Sequence, residues 1–365
     1  MKKLILLFAC LALDASSARA ELTIEELVIQ SGLQEGPIAA RDLPRWRGAS
    51  RILVMRVGDE DLRDMQALVP NTKLVGASSA EEALARVADV DAIIGSCDER
   101  LIEAASKLVW IQIFWAGAER CLRVTRVGNG DVVLTNMQKM SAPVIGEHAV
   151  AMALALARGL PAFAKQMQDG ARPEQYTAPT YMVPLAGKTM LVVGLGGIGT
   201  EAAKRAAALG MRVVGTRNSS REGPPFVDYV GLPHELFDLA AQADVIVNAL
   251  PLTDTTRGLL GEEFFVAAKK GAFFVNVGRG ATVDTEALVK ALQSGQLGGA
   301  GLDVTDPEPL PVDHPLWKFE NVIITPHVAG RGGEQHRHRL LLVENLRRFV
   351  NGDRLLNVVN PDRGY

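Results

Sequence analysis

The segment LVVGLGGIG, Leu191 to Gly199, constrains this 365-residue chain more than any other. It closes the continuous apolar run Met190 to Gly194, the pattern of a strand buried on both faces, and a helix-like pattern follows from Gly199 to Leu209. Gly194, Gly196 and Gly199 hold the GxGxxG spacing between the two. In that context the glycines permit a tight turn, close approach of backbone to a pyrophosphate, and close packing of helix on strand. The helix N-terminus then faces the phosphates, with Gly197 and Ile198 completing the cradle.

The rest of the chain repeats the same alternation. Arg51 to Val57, Thr72 to Ala77, Asp91 to Ser96, Val109 to Phe114 and Val132 to Asn136 read as strands, separated by helix-like patterns at Asp61 to Val69, Ala80 to Ala88 and Glu99 to Leu108. A long Ala-, Leu- and Met-rich helix follows, Ala142 to Gly159. After Met190, strands recur at Arg212 to Gly215, Val245 to Ala249, Phe273 to Val277, Ala300 to Val304 and Val322 to Thr325, with helices at Pro233 to Ala241, Gly261 to Ala268 and Thr285 to Ser294. Such alternation predicts an α/β fold of parallel sheets covered on both faces. Glu21 to Ser50 reads as a loosely ordered extension, and Gly170 to Gly187 as an exposed arm. The final helix, Gly332 to Asn351, is expected to cross back onto the first unit. The expected organisation is therefore 1–20, an export signal; 21–50, the extension; 51–145 with 331–365, a discontinuous substrate domain; and 146–330, a dinucleotide-binding domain.

Residues 1–20 set Lys2 and Lys3 before an apolar run from Leu4 to Leu13 and end in Ala18-Arg19-Ala20, the layout of a Sec-type signal peptide. The expected location is periplasmic or secreted, or cytoplasmic if the start is mis-assigned. The apolar run is too short for a stable span, so no stable membrane insertion is expected. A net charge of -3 and dispersed Lys and Arg speak against nucleic acid as a partner. Cys97 and Cys121 are expected to be small buried thiols rather than a bridge, and the absence of a Cys and His cluster at ligand spacing predicts no metal site.

Two further groups of residues carry chemistry. About eighteen residues beyond Gly199, where an NAD-specific site places an acid, stand Arg217 and Ser219 with Arg221 nearby. A cation and hydroxyls suit the 2′-phosphate of NADP, so NADP(H) is expected in preference to NAD(H). Downstream lie Arg279 in NVGRGATVD, Glu308 in GLDVTDPEP and His327 in TPHVAG. A guanidinium can fork onto a substrate carboxylate and polarise a neighbouring carbonyl, an imidazole can move the proton that balances hydride transfer, and a carboxylate would hold that imidazole protonated. No side chain supplies hydride, so a nicotinamide must.

From about Glu147 to Gly330 the chain resembles the D-isomer-specific 2-hydroxyacid dehydrogenases, particularly the glyoxylate and hydroxypyruvate reductase type. GKTMLVVGLGGIG, ALPLTDTTRGLLG, KKGAFFVNVGRGATVDTEAL, GLDVTDPEPLPVDHPLW and NVIITPHVAG carry the match, and WIQIFWAGAE and TNMQKMSAPVIGEHAVAMALALAR resemble the family's preceding segments. The resemblance implies two Rossmann-like doubly wound domains with the active site in the cleft between them, a small 2-oxo or 2-hydroxy acid as substrate, and a homodimer. It assigns the substrate arginine to Arg279, the acid/base to His327 and its partner to Glu308. It further implies that amides around Ala116 and Gly117 hold the substrate carboxylate, that Asp303 and Gly278 contact the nicotinamide, and that Pro251 and Thr256 line the cofactor cleft. Two departures stand out: Lys139 occupies a common glycine position, and Gly146 a common alanine. The rival reading is an exported protein that binds a nucleotide or small acid in the same cleft without turnover; a nucleotide-sensing corepressor is another. Neither needs a Glu308 and His327 pair. His148 reads as a packed helix residue, and His314, His336 and His338 as surface or helix positions.

Overall fold

The polar stretch before Ser50 is more ordered than its composition suggests. In the computed structural model, which describes residues 22–218, 220–333 and 335–364, a capped helix Ile24–Ser31 leads into β1 (Glu35–Ala39). Thr23 and Glu26 form a reciprocal capping box at the helix start, and Leu27 and Leu33 are buried. The expectation of a loose extension is thus corrected. The predicted export signal lies outside the described residues.

Five parallel strands follow: β2 (Arg51–Met55), β3 (Lys73–Ala77), β4 (Ala92–Ile94), β5 (Trp110–Gln112) and β6 (Val133–Thr135), in the order β3-β2-β4-β5-β6. The second sheet holds β7 (Thr189–Val193), β8 (Arg212–Thr216), β9 (Tyr229–Gly231), β10 (Val245–Asn248), β11 (Ala272–Asn276), β12 (Leu297–Leu302) and β13 (Val322–Ile324). It too is parallel, in the order β13-β12-β11-β10-β7-β8-β9. The chain therefore folds as α/β with two doubly wound parallel sheets. Strand order in the second reverses between β7 and β10, and ligands of such sheets bind outside the carboxyl ends at that point. β10 and β11 are buried at every position, as expected for strands covered on both faces.

Helix Ala142–Ala157 lies against helix Gly197–Ala208 so closely that a Cβ on Gly146 would come within 2.8 Å of the Ala202 backbone nitrogen. The absence of a side chain at Gly146 is what lets the two helices approach this closely. Across the other sheet, helix Gln335–Asn351 packs Leu341, Leu346 and Phe349 onto Trp110, whose ring centroid is 4.8 Å from that of Phe349. Removing a fully buried aromatic such as Phe349 costs about 3–5 kcal/mol. Asn345 of this helix is fully buried and donates to Gln112 Oε1 (3.0 Å), while it accepts from the amide of Leu356 (2.8 Å) in β14 (Arg354–Leu356), the antiparallel partner of β1.

Two expectations from the sequence change. The Gly170 to Gly187 segment ends by packing Tyr181 and Leu185 onto the second sheet, with the Tyr181 ring edge-on to Phe273. Cys97 and Cys121 form a disulfide with Cα atoms 5.4 Å apart, inside the usual range for a bridge, in place of the expected thiols. Cys97 lies just beyond β4 and Cys121 in the short helix Glu119–Leu122, a proximity that spacing in the sequence does not reveal.

Candidate active site

The glycine loop meets the physical demands of a dinucleotide cradle. Gly194 leaves β7 at φ +95°, a conformation that favours glycine, and a Cβ on Gly199 would lie 2.1 Å from the Gly194 carbonyl oxygen, so the helix approaches the strand this closely only because residue 199 has no side chain. A Cβ on Gly196 would meet nothing within 4 Å, which leaves its face open for a phosphate to approach the backbone. Gly197 and Ile198 form the first turn of helix Gly197–Ala208. Pro251 and Thr256 follow β10 across the crevice, joined by a bond from Thr256 Oγ1 to the Pro251 carbonyl (2.7 Å). A cofactor with a pyrophosphate fits these residues.

Arg217 stands at the end of β8, its amide donating to Gly231 and its Nε buried without a hydrogen-bond partner. Ser219 lies outside the described residues. Arg221 is turned away onto Glu235 (2.7 Å) and the Tyr229 hydroxyl (2.6 Å). The Leu232 amide, Tyr229 and Arg221 together hold Glu235 down to about 2. Lys139 adds a second cation. Its stem covers Gly197, its ammonium donates to the Gly32 carbonyl, and burial followed by the charge of Arg217 holds it below the ordinary lysine value.

The other residues gather at the ends of three adjacent strands. β11 runs into Gly278 and Arg279, β12 into Asp303, and β13 into His327. The His327 amide donates to the Asp303 carbonyl (2.8 Å), and the Asp303 amide to Asn276 (3.0 Å), so the strand ends are tied to one another. His327 adopts φ +52°. Its Nδ1 is 2.7 Å from Glu308 Oε1, with both side chains about half exposed. A ring held at Nδ1 by a carboxylate presents Nε2 for proton transfer.

Asp303 does more than the resemblance implies. Only 3 % exposed, its carboxylate accepts from Thr325 Oγ1 (2.6 Å) and from the amides of Val328 (2.9 Å) and Ala329 (3.0 Å), fixing the loop that carries His327. His148 joins through Thr325 Oγ1 (3.0 Å), so it is part of this network rather than simply packed.

Arg279 reaches across to the first sheet's loops. Nη1 donates to the Gly278 carbonyl (2.9 Å) and Nε to Glu119 Oε1 (3.0 Å). Gly117 lies directly beneath: a Cβ there would be 2.3 Å from Arg279 Nη2 and 2.5 Å from Glu119 Oε2. The neighbouring Ala116 carbonyl accepts from Asn136 Nδ2 (2.6 Å), which fixes the loop. Arg279, Ala116 and Gly117 are thus brought together. Glu119 went unnoticed in the sequence, although its place in WIQIFWAGAE, two residues past Gly117, marked it as a neighbour of the loop.

Comparison with known proteins fits this geometry. The family "D-isomer specific 2-hydroxyacid dehydrogenase, NAD binding domain" matches residues 150–329. A glyoxylate reductase of Korarchaeum cryptofilum is 32% identical over 294 residues, 78% of this chain and 87% of the relative. The chain belongs to the D-isomer-specific 2-hydroxyacid dehydrogenase family. Glyoxylate/hydroxypyruvate reductase B of an Enterobacter strain is 32% identical over 266 residues, 72% of this chain and 82% of that relative. A crystal structure of a D-isomer-specific 2-hydroxyacid dehydrogenase from Xanthobacter autotrophicus Py2, in complex with NADPH and MES, superposes with a TM-score of 0.74 at 28% identity, covering 87% of this chain and 100% of that one. As a member of the family the chain is an NAD(P)-dependent 2-hydroxyacid dehydrogenase.

Proposed function

We propose that this dehydrogenase reduces a small 2-oxoacid of the glyoxylate or hydroxypyruvate type to the D-2-hydroxy acid, with NADP(H) preferred. The contact between Glu308 Oε1 and His327 Nδ1 carries the reading, because binding alone has no need of a carboxylate gripping an imidazole at an exposed strand end. Arg279 and the amides around Ala116 and Gly117 hold the substrate carboxylate. His327 gives its Nε2 proton to the carbonyl oxygen, and Glu308 keeps the ring oriented and balances its charge. The bound nicotinamide supplies the hydride. Asp303 holds the loop beneath, and Gly278 and Pro251 with Thr256 shape the cleft wall. The preference for NADP rests on Arg217, a cation with an unmet donor where an acid would repel a 2′-phosphate.

The test uses protein beginning at Glu21 and follows NADPH consumption against a panel of 2-oxoacids. Turnover of glyoxylate or hydroxypyruvate supports the reading; NADPH binding without turnover of any acid replaces it with the binding-protein alternative. Equal or better use of NADH removes the role given to Arg217.

We also infer that residues 1–20 direct export. The Cys97–Cys121 bridge supports this, since disulfides persist mainly in oxidising compartments. A native N-terminus at Met1 rather than Glu21 would reject it.

A further inference from the structure

A carboxylate stands beside the berth of a carboxylate. Glu119 Oε1 takes the Nε edge of Arg279 at 3.0 Å, and Glu119 Oε2 and Arg279 Nη2 both occupy the space that a side chain on Gly117 would fill. The two side chains are similarly shielded, at 26% and 29% exposure. An acid that close to an anion site has two effects. It fixes the guanidinium by its Nε edge, leaving for a ligand the protons not given to Glu119 or to the Gly278 carbonyl, and its charge opposes any further negative charge that arrives.

The position of Glu119 is itself secured. It begins the single-turn helix Glu119–Leu122, and Cys121, fully buried two residues on, is bridged to Cys97 beyond β4. The backbone carrying the carboxylate is therefore anchored to the sheet. Gly117 contributes by being glycine, since any side chain there would occupy the space where Glu119 and Arg279 meet.

We propose that Glu119 is a positioning residue for Arg279 and a charge filter on the substrate. The filter admits small 2-oxoacids with one carboxylate and an uncharged remainder, and excludes those bearing a second carboxylate or a phosphate. This rests on the reading that Arg279 binds the substrate carboxylate. Two like charges about 6 Å apart near a protein surface oppose binding by about tenfold to a hundredfold.

The experiment compares wild type, Glu119→Gln and Glu119→Ala in two ways. Steady-state kinetics are measured for pyruvate against oxaloacetate and for hydroxypyruvate against its 3-phosphate. Binding of oxamate and of oxalate, near-isosteric anions of one and two charges, to the NADPH-loaded protein is measured by titration. Wild type should favour the monoanion in each pair. Glu119→Gln, which keeps a hydrogen-bonding oxygen, should lower that preference about tenfold. Glu119→Ala should lower it similarly and also raise KM for the monoanions about tenfold, with a smaller change in kcat, because the guanidinium loses its anchor. An unchanged preference in both variants, or a wild type that favours the dianions, overturns the filter. Absence of turnover with intact discrimination between oxamate and oxalate would count against the reductase reading while leaving the filter in place; failure to bind either anion overturns the filter as well.

Discussion

His327 Nδ1 sits 2.7 Å from Glu308 Oε1, on a backbone turned to φ +52°. A non-glycine residue in that region persists only where its surroundings hold it, and here the His327 amide bonds to Asp303 and Thr325 while the Asp303 carboxylate holds Thr325, Val328 and Ala329. Position and orientation of the ring are set separately, by Asp303 for the loop and by Glu308 for the imidazole.

That division predicts different failures. His327→Ala should lower kcat about 100-fold to 10,000-fold, the usual contribution of a positioned acid/base, with the NADPH dissociation constant within about twofold of wild type. Glu308→Gln keeps an acceptor for Nδ1 but removes the charge that balances the protonated ring, so it should lower kcat, though by less than His327→Ala. A Glu308→Gln enzyme with the wild-type kcat would show that the carboxylate has no part in proton transfer.

Arg217 predicts the cofactor. Fluorescence titration should find NADPH bound about tenfold or more tightly than NADH, and Arg217→Ser should erase most of the difference by weakening NADPH alone. Loss of both cofactors in equal measure would assign Arg217 to the structure of the β8 end rather than to a 2′-phosphate.

The glycine loop, Arg279 and the Glu308–His327 pair were legible because each sits in a local pattern: a strand, a turn of obligatory glycines, or a short string at a strand end. The second sheet was legible for the same reason, except where glycine disguises a strand. β12 begins at Leu297 rather than Ala300, and its glycines are needed because a Cβ on Gly299 would lie 2.6 Å from the Asn321 carbonyl oxygen. What stayed hidden is non-local. β1 pairs with β14 from the far end of the chain, Glu119 meets Arg279 160 residues away, and the thiol partners are brought together only by the loops after β4 and β5.

The disulfide predicts a redox effect on stability. The cysteines are separated by 24 residues, and a bridge closing a loop of that size stabilises by about 3–4 kcal/mol in the chain-entropy picture. Reduction, or Cys97→Ser with Cys121→Ser, should lower Tm by several degrees, and alkylation of unreduced, denatured protein should label neither cysteine. Full labelling without reductant would mean that the pair is held as thiols.

Acid stability turns on Glu344. Burial alone would raise its carboxyl, but hydrogen bonds from Arg347 (2.8 Å and 2.9 Å) and Arg348 (2.6 Å) outweigh it and hold the group below the usual carboxylate range. A carboxylate depressed in the folded state contributes stability that is fully present above its unfolded value, about 4.3, and is lost as pH falls through the folded one. Arg348 also reaches Glu35 at 2.6 Å, so the same cluster ties helix Gln335–Asn351 to β1. Glu344→Gln should therefore destabilise the protein at pH 7 by about 2 kcal/mol, less than the 3–5 kcal/mol typical of a fully buried pair because Arg347 is half exposed. The gap between the two proteins in urea unfolding should narrow as pH falls below about 4.3. A gap that stays constant from pH 7 to pH 3 would locate the loss in packing rather than in the charge of Glu344.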